Sequence, residues 1–118
     1  MVHGNKNRTF GRPRNQRTAL MRGLAVSLIR DGKIKTTEAK AKELRSFIER
    51  LVTHGKKNTV AARRIVASRL GEPSAAVIKK VFDEIAPKFA ERAGGYTRVI
   101  KVGRTQAGRD EAVIEFVE

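Results

Sequence analysis

Few side chains in this sequence can do chemistry unaided. Cysteine is absent, which removes disulfides, thiolate metal sites and thiol nucleophiles and fits a reducing cytoplasm. The two histidines, His3 and His54, are the groups that titrate near neutrality without help. His3 stands in a segment with no regular pattern. His54 falls in the last turn before Gly55, where an imidazolium would complement a helix dipole, so capping rather than catalysis is expected of it. Asp83-Glu84 and Asp110-Glu111 are adjacent acids, and neighbours in sequence project apart rather than forming a carboxylate pair. The phosphate-loop, dinucleotide and zinc-helix signatures are absent, and two histidines offer no metal-ligand spacing. No catalytic residue, metal, cofactor or small-molecule substrate is therefore expected, and the chain does not read as an enzyme.

The chemistry that remains is that of cations. Lys and Arg number 26 against 12 Asp and Glu, a formal net charge of +14. A body so charged repels itself and calls for a polyanion. Nucleic acid supplies one, with affinity drawn from counterions released by its phosphates. A membrane surface would instead require a basic amphipathic helix with a large apolar face. Trp is absent, and the 5 Phe are scattered. No apolar run approaches the roughly 18 residues of a spanning helix, and no secretory signal is visible. The first thirty residues are Arg-rich and acid-poor like an organellar transit peptide, but they run without a break into a patterned helix. No membrane partner is expected.

Charge is also segregated. Residues 1–30 carry Lys6, Arg8, Arg12, Arg14, Arg17, Arg22 and Arg30 with no acid, whereas residues 110–118 carry Asp110, Glu111, Glu115 and Glu118 with no base. Arginine offers a planar fork that grips phosphate bidentately or stacks on a base. Arginines without acidic neighbours read as RNA contacts more readily than as a solvated face.

These residues need elements to hold them. Residues 1–14 lack apolar periodicity and read as an extended basic arm, ordered by its ligand. From Asn15, Leu20, Met21, Leu24 and Leu28 recur at helical spacing, and Gly32 ends the helix. Lys33–Thr37 reads as a strand, after which Thr36 or Thr37 caps a second helix with Ala41, Leu44, Ile48 and Leu51 on one face and Gly55 as its stop. Asn58 can cap a third helix carrying Ala62, Ile65 and Val66, ended by Gly71. Pro73 and Ser74 open a fourth, with Val77, Ile78, Val81, Phe82 and Ile85 on one face, broken at Pro87 with room for one more turn over Lys88–Arg92. After Gly94-Gly95 the period becomes two, predicting a hairpin of residues 96–102 and 112–117. Ile100, Val102, Ile114 and Phe116 are expected inside, with Lys101 and Glu115 outside. The order helix, strand, three helices, two strands predicts a single two-layer α/β domain of the α+β type over residues 15–118.

Two further groups of site candidates follow from these elements. On the second helix, Lys40, Lys42 and Arg45 sit among Glu38, Glu43 and Glu49, so part of their charge is expected to be neutralised within the helix. In Gly94-Gly95-Tyr96-Thr97-Arg98, the glycines let the main chain turn or approach another backbone closely. Tyr96 is open there to two readings, a structural one and base stacking or phosphate contact.

Ile34-Lys35-Thr36-Thr37 with Ala39–Arg45, Pro87-Lys88-Phe89 with Arg92–Arg98, and Arg17, Ala19, Leu20 and Arg22 together resemble the recurrent blocks of the bacterial ribosomal protein L17 family, the seventeenth protein of the large subunit. The resemblance covers nearly the whole chain. Val2 and Gln16 depart from the Arg and His frequent in that family, and Arg109–Ala112 alters its C-terminal loop. The resemblance implies a two-layer fold, binding to large-subunit ribosomal RNA, and a place near the polypeptide exit region beside other ribosomal proteins. The function expected is that of a structural constituent of the large ribosomal subunit, in the cytoplasm on the ribosome. The RNA-binding residues expected are His3, Lys6, Arg8, Arg12, Arg14, Arg17, Arg22, Lys40, Lys42, Arg45, Tyr96 and Arg98. The alternative is a double-stranded DNA-binding architectural protein, against which no short-turned helix-turn-helix stands out.

Overall fold

The computed structural model describes residues 14–117. Helix α1 (Arg14–Asp31) begins one residue inside the expected arm and ends where Gly32, at φ +81°, donates its N–H to the Leu28 carbonyl at 2.8 Å. Strand β1 (Lys33–Thr37) follows, and the Thr37 hydroxyl accepts from the Lys40 N–H to cap α2 (Glu38–Lys57). Then come α3 (Val60–Arg69), α4 (Ala75–Lys80) with a continuing π-helical turn (Val81–Ile85) and a last helical turn (Ala86–Lys88), β2 (Thr97–Arg104) and β3 (Asp110–Phe116).

The strands form one antiparallel sheet in the order β1-β3-β2. The C-terminal strand thus lies centrally, and both neighbours depend on it. Helix α2 covers one sheet face and also touches α1, α3 and the π turn. Its Ala41, Leu44, Ile48, Leu51 and Val52 are buried, joined by Ala25, Leu28 and Ile29 of α1, Ala62 and Val66 of α3, and Ala112 and Ile114 of β3. The two layers expected from the sequence are present, although α1 buries a face centred on Ala25, Leu28 and Ile29, leaving Leu20 and Met21 only half-buried.

Four local expectations are corrected. Gly55 does not stop α2. It is buried within the helix, where a Cβ would stand 3.1 Å from the Ala86 Cβ and 3.2 Å from a Val81 methyl, so glycine lets two helices close on each other. Asn58, at φ 48°, is the left-handed end of α2, and Thr59 rather than Asn58 caps α3 by accepting from the Ala62 N–H. Pro87 does not break the fourth helix, because the π turn just before it, in which the Ala86 N–H reaches back to the Val81 carbonyl, widens the coil where a proline ring would crowd a regular one. Ile65 of α3 is 38% exposed and lies off its buried face.

The hairpin is also a half-step out of phase with the reading from its apolar residues. Val99 opposes Ile114 and Lys101 opposes Ala112, so Thr97, Val99 and Lys101 share the core side, and Ile100 (45% exposed) and Val102 (53%) face away. The cause is a polar anchor. Glu49 of α2 accepts both the N–H (3.2 Å) and the hydroxyl (3.0 Å) of Thr97, turning that side chain inward and setting the alternation behind it. A bulge between Lys101 and Gly103 then bends the edge strand. Ile114 is inside, Phe116 is half-buried against Phe89, and Glu115 is outside as expected.

Candidate nucleic-acid interface

The sites expected from the sequence separate into three kinds. His3, Lys6, Arg8 and Arg12 lie outside the described residues. Arg14 and Arg17 open α1, whose first turn contains no acid, and neither enters an ion pair among the described residues. A helix N-terminus carries partial positive charge, so cations placed there are unfavourable until an anion arrives. Arg14, Asn15, Thr18 and Arg22 line an open hollow on this part of the helix.

Arg22 is of a different kind. Its Nε donates to the Arg69 carbonyl at 3.2 Å and a terminal nitrogen donates to the Ser68 carbonyl at 3.3 Å. The side chain therefore caps the C-terminal end of α3, where carbonyls lack helical partners. Two of its five donors are committed to the fold. Its expected role as a plain RNA contact is accordingly reduced.

On α2 the expected neutralisation is found at one residue of three. Lys42 pairs with Glu38 at 2.9 Å, and Lys101 of β2 reaches the same carboxylate at 3.6 Å. The Lys42 hydrogen bond and both positive charges hold Glu38 below the ordinary carboxylate range against a partial desolvation. Lys40 and Arg45 enter no ion pair among the described residues, and Glu49, one turn after Arg45, accepts from Thr97 instead.

The hairpin arginines are paired within the sheet. Arg98 pairs with Glu115, Arg104 with Asp110, and Lys35 and Arg109 with Glu111. Arg98 is exposed on the outer sheet face, as an RNA contact requires, but it carries a carboxylate 3.4 Å away.

Tyr96 is decided by its burial. It is 2% exposed, its ring lies 5.2 Å from that of Phe89, and the Lys56 ammonium donates to its hydroxyl at 3.1 Å. Hydrogen bonding with Thr53 and then Lys56 holds the phenol below its usual range, opposed by burial. No ring face is left for a base, so the stacking reading is corrected to a structural one. Lys56 also donates to the Arg92 carbonyl at 2.6 Å, which ties α2 to the chain entering the glycine turn.

His54 is likewise corrected. Its Nδ1 is buried with no partner among the described residues. Burial first, then Lys57 and Arg69, push the imidazole below its ordinary range, so it is a neutral packing group and not a cationic cap. The sequence reading missed Arg92, an exposed arginine whose Nε donates to the Gly94 carbonyl at 3.1 Å. Its place beside the glycine pair was the available signal. Among the described residues, no group of three His, Cys, Asp or Glu side chains is gathered for a metal. No helix of the described residues is long and apolar enough to cross a membrane.

The family model described as ribosomal protein L17 matches residues 20–117. A relative from Persephonella marina, named large ribosomal subunit protein bL17, is 52% identical over 120 residues, covering 100% of this chain and 96% of the relative. Proteins of the same name from Thermodesulfovibrio yellowstonii (50% identical, covering 100% and 88%) and Fusobacterium nucleatum (46% identical, covering 99% and 100%) are also similar.

Proposed function

Since the chain belongs to the ribosomal protein L17 family, we propose that it is a structural constituent of the large ribosomal subunit that binds large-subunit ribosomal RNA and has no catalytic step of its own. The RNA-binding set proposed is the arm (His3, Lys6, Arg8, Arg12), the opening of α1 (Arg14, Arg17), Lys40 and Arg45 of α2, which enter no ion pair among the described residues, and, with a smaller share, Arg22, Lys42 and Arg98. Its partners are that RNA and neighbouring ribosomal proteins near the exit region, and its place is the cytoplasm, on the ribosome.

The observation that carries this reading is the opening of α1. Arg14 and Arg17 stand at the positive end of a helix whose first turn has no acid. Such a placement costs on the order of 0.3–1 kcal/mol per charge in the free protein, and an RNA phosphate reverses the sign. The folded body docks on RNA while the arm runs on from this helix end, and counterion release supplies the affinity. Gradient fractionation of a lysate at moderate salt tests the reading. The chain is expected to sediment with large subunits and to crosslink to their RNA. Recovery on genomic DNA instead would contradict it.

A further inference from the structure

We propose that the Gly94–Gly95 turn is a main-chain phosphate site, at which the sugar–phosphate backbone of RNA packs directly on the polypeptide with Arg92 alongside. The inference deepens the RNA-binding reading above and rests on it.

The two glycines have different reasons to be there. Gly95 has φ +64°, a conformation that favours glycine. Gly94 has no such reason, and a Cβ built on it would meet nothing within 4 Å. Neither backbone strain nor internal packing asks for glycine at residue 94, although glycine loses more freedom on folding than any other residue. A bare main chain at this half-buried position, bordered by the exposed Gly95 and with open space where a Cβ would stand, suits a closely approaching external backbone.

The turn is nevertheless held firmly on both sides. Before it, Lys56 donates to the Arg92 carbonyl at 2.6 Å, and Arg92 donates to the Gly94 carbonyl at 3.1 Å. After it, Tyr96 is locked in the core, its carbonyl accepts from the Val117 N–H at 2.9 Å, and Glu49 takes both donors of Thr97. The turn is thus ordered already in folding, leaving less entropy to lose on binding. Within this frame, the N–H groups of Gly94 and Gly95 donate to no described residue. Main-chain amides of this kind bind phosphate oxygens, and consecutive ones form an anion-binding concavity.

The charge around the turn agrees. Arg92 lies with a terminal nitrogen 3.9 Å from the Cβ position of Gly95, and it enters no ion pair among the described residues. Lys88 is exposed above the Phe89 ring, and Lys56 stands beneath the turn. The acids nearby are Glu49, which keeps its charge while accepting from Thr97, Glu115, paired with Arg98, and the exposed Glu91, against Arg92, Lys88 and Lys56. The balance at the turn is positive.

The test is Gly94→Ala, measured for thermal unfolding and for binding to a full-length large-subunit ribosomal RNA transcript at several salt concentrations. The free protein is expected to unfold at an unchanged or slightly higher temperature, because the methyl meets nothing. Its RNA affinity is expected to fall by about tenfold or more, the scale of one hydrogen bond to a charged group. Arg92→Gln is expected to lower the slope of log affinity against log salt by roughly 0.7–0.9. Gly95→Ala is the contrast, expected to lower the unfolding temperature. If the natural protein binds the transcript and Gly94→Ala binds equally well, the phosphate site is refuted and the RNA-binding reading stands. If Gly94→Ala binds the transcript normally but fails to enter large subunits, a protein covers the turn and the inference is also refuted. If the natural protein shows no salt-dependent binding, the RNA-binding reading itself fails.

Discussion

The opening of α1 and the β2–β3 hairpin both display arginines, and they do opposite things with them. In the hairpin, Arg98, Arg104 and Arg109 each have a carboxylate within 4.0 Å, supplied by Glu115, Asp110 and Glu111 of β3. In α1, Arg14 and Arg17 have none among the described residues. The acids of β3 therefore meet the hairpin arginines and Lys35 of β1, while Lys101 of β2 is met by Glu38 of α2. A count of cations does not reveal where a polyanion binds. What matters is which of them the fold has left unpaired.

If the hairpin is built for the fold, its core residues must dominate stability. Ile114→Ala should destabilise by roughly 2–5 kcal/mol, since Ile114 is 0% exposed on the central strand. Ile100→Ala on the opposite face should stay near about 0.5 kcal/mol. Chemical denaturation checks both, and similar losses would undo the face assignment.

Arg22 sharpens the division inside α1 itself. Arg22→Ala removes the cap on α3 and should cost about 1 kcal/mol, whereas Arg17→Ala should leave unfolding unchanged and weaken RNA binding. A neutral Arg22→Ala would return that residue to the unpaired group. Smaller still is the Arg98–Glu115 coupling, at 3.4 Å and partly exposed. A double-mutant cycle on it should give about 0.2–1 kcal/mol, diminishing with salt.

The smallest effect concerns His54, which must stay out of the charge balance. Its imidazole is held below the ordinary 6.5 by burial and by Lys57 and Arg69. As pH falls below that ordinary value, the unfolded chain therefore takes up a proton that the folded chain resists, and the stability present above it declines towards the folded value. Between about pH 8 and pH 5.5, which brackets the ordinary histidine range, the natural protein should lose more unfolding temperature than His54→Gln. An equal loss would mean that His54 ionises freely.

Much of this was legible in the sequence because the apolar spacing agreed with local punctuation. Leu44, Ile48 and Leu51 marked α2, Thr37 its start, and Gly32 and Gly71 the ends of α1 and α3. The failures arise where a tertiary interaction overrode a local rule. Gly55 reads as a stop until Val81 and Ala86 are seen against it. Pro87 reads as a break until the π turn makes room for it. The β2 alternation follows Thr97 because Glu49, 48 residues away, claims it. The site divides in the same way. Acid-poor α1 could be recognised from composition, but Arg22 is engaged by carbonyls, which carry no charge to count. Glu49 stands one turn after Arg45, yet its hydrogen bonds go to Thr97.

The most direct measurement is titration of the full-length large-subunit ribosomal RNA transcript at several salt concentrations, with two sets of Arg→Gln changes. The first set is Arg8, Arg12, Arg14 and Arg17, and the second is Arg98, Arg104 and Arg109, with circular dichroism as the folding control. The first set should lower the slope of log affinity against log salt by roughly 0.7–0.9 for each phosphate no longer neutralised. The second should lower it by less than one such step in total, because its charges are already met by Glu115, Asp110 and Glu111. A larger fall in slope from the hairpin set would contradict the division between paired and unpaired cations.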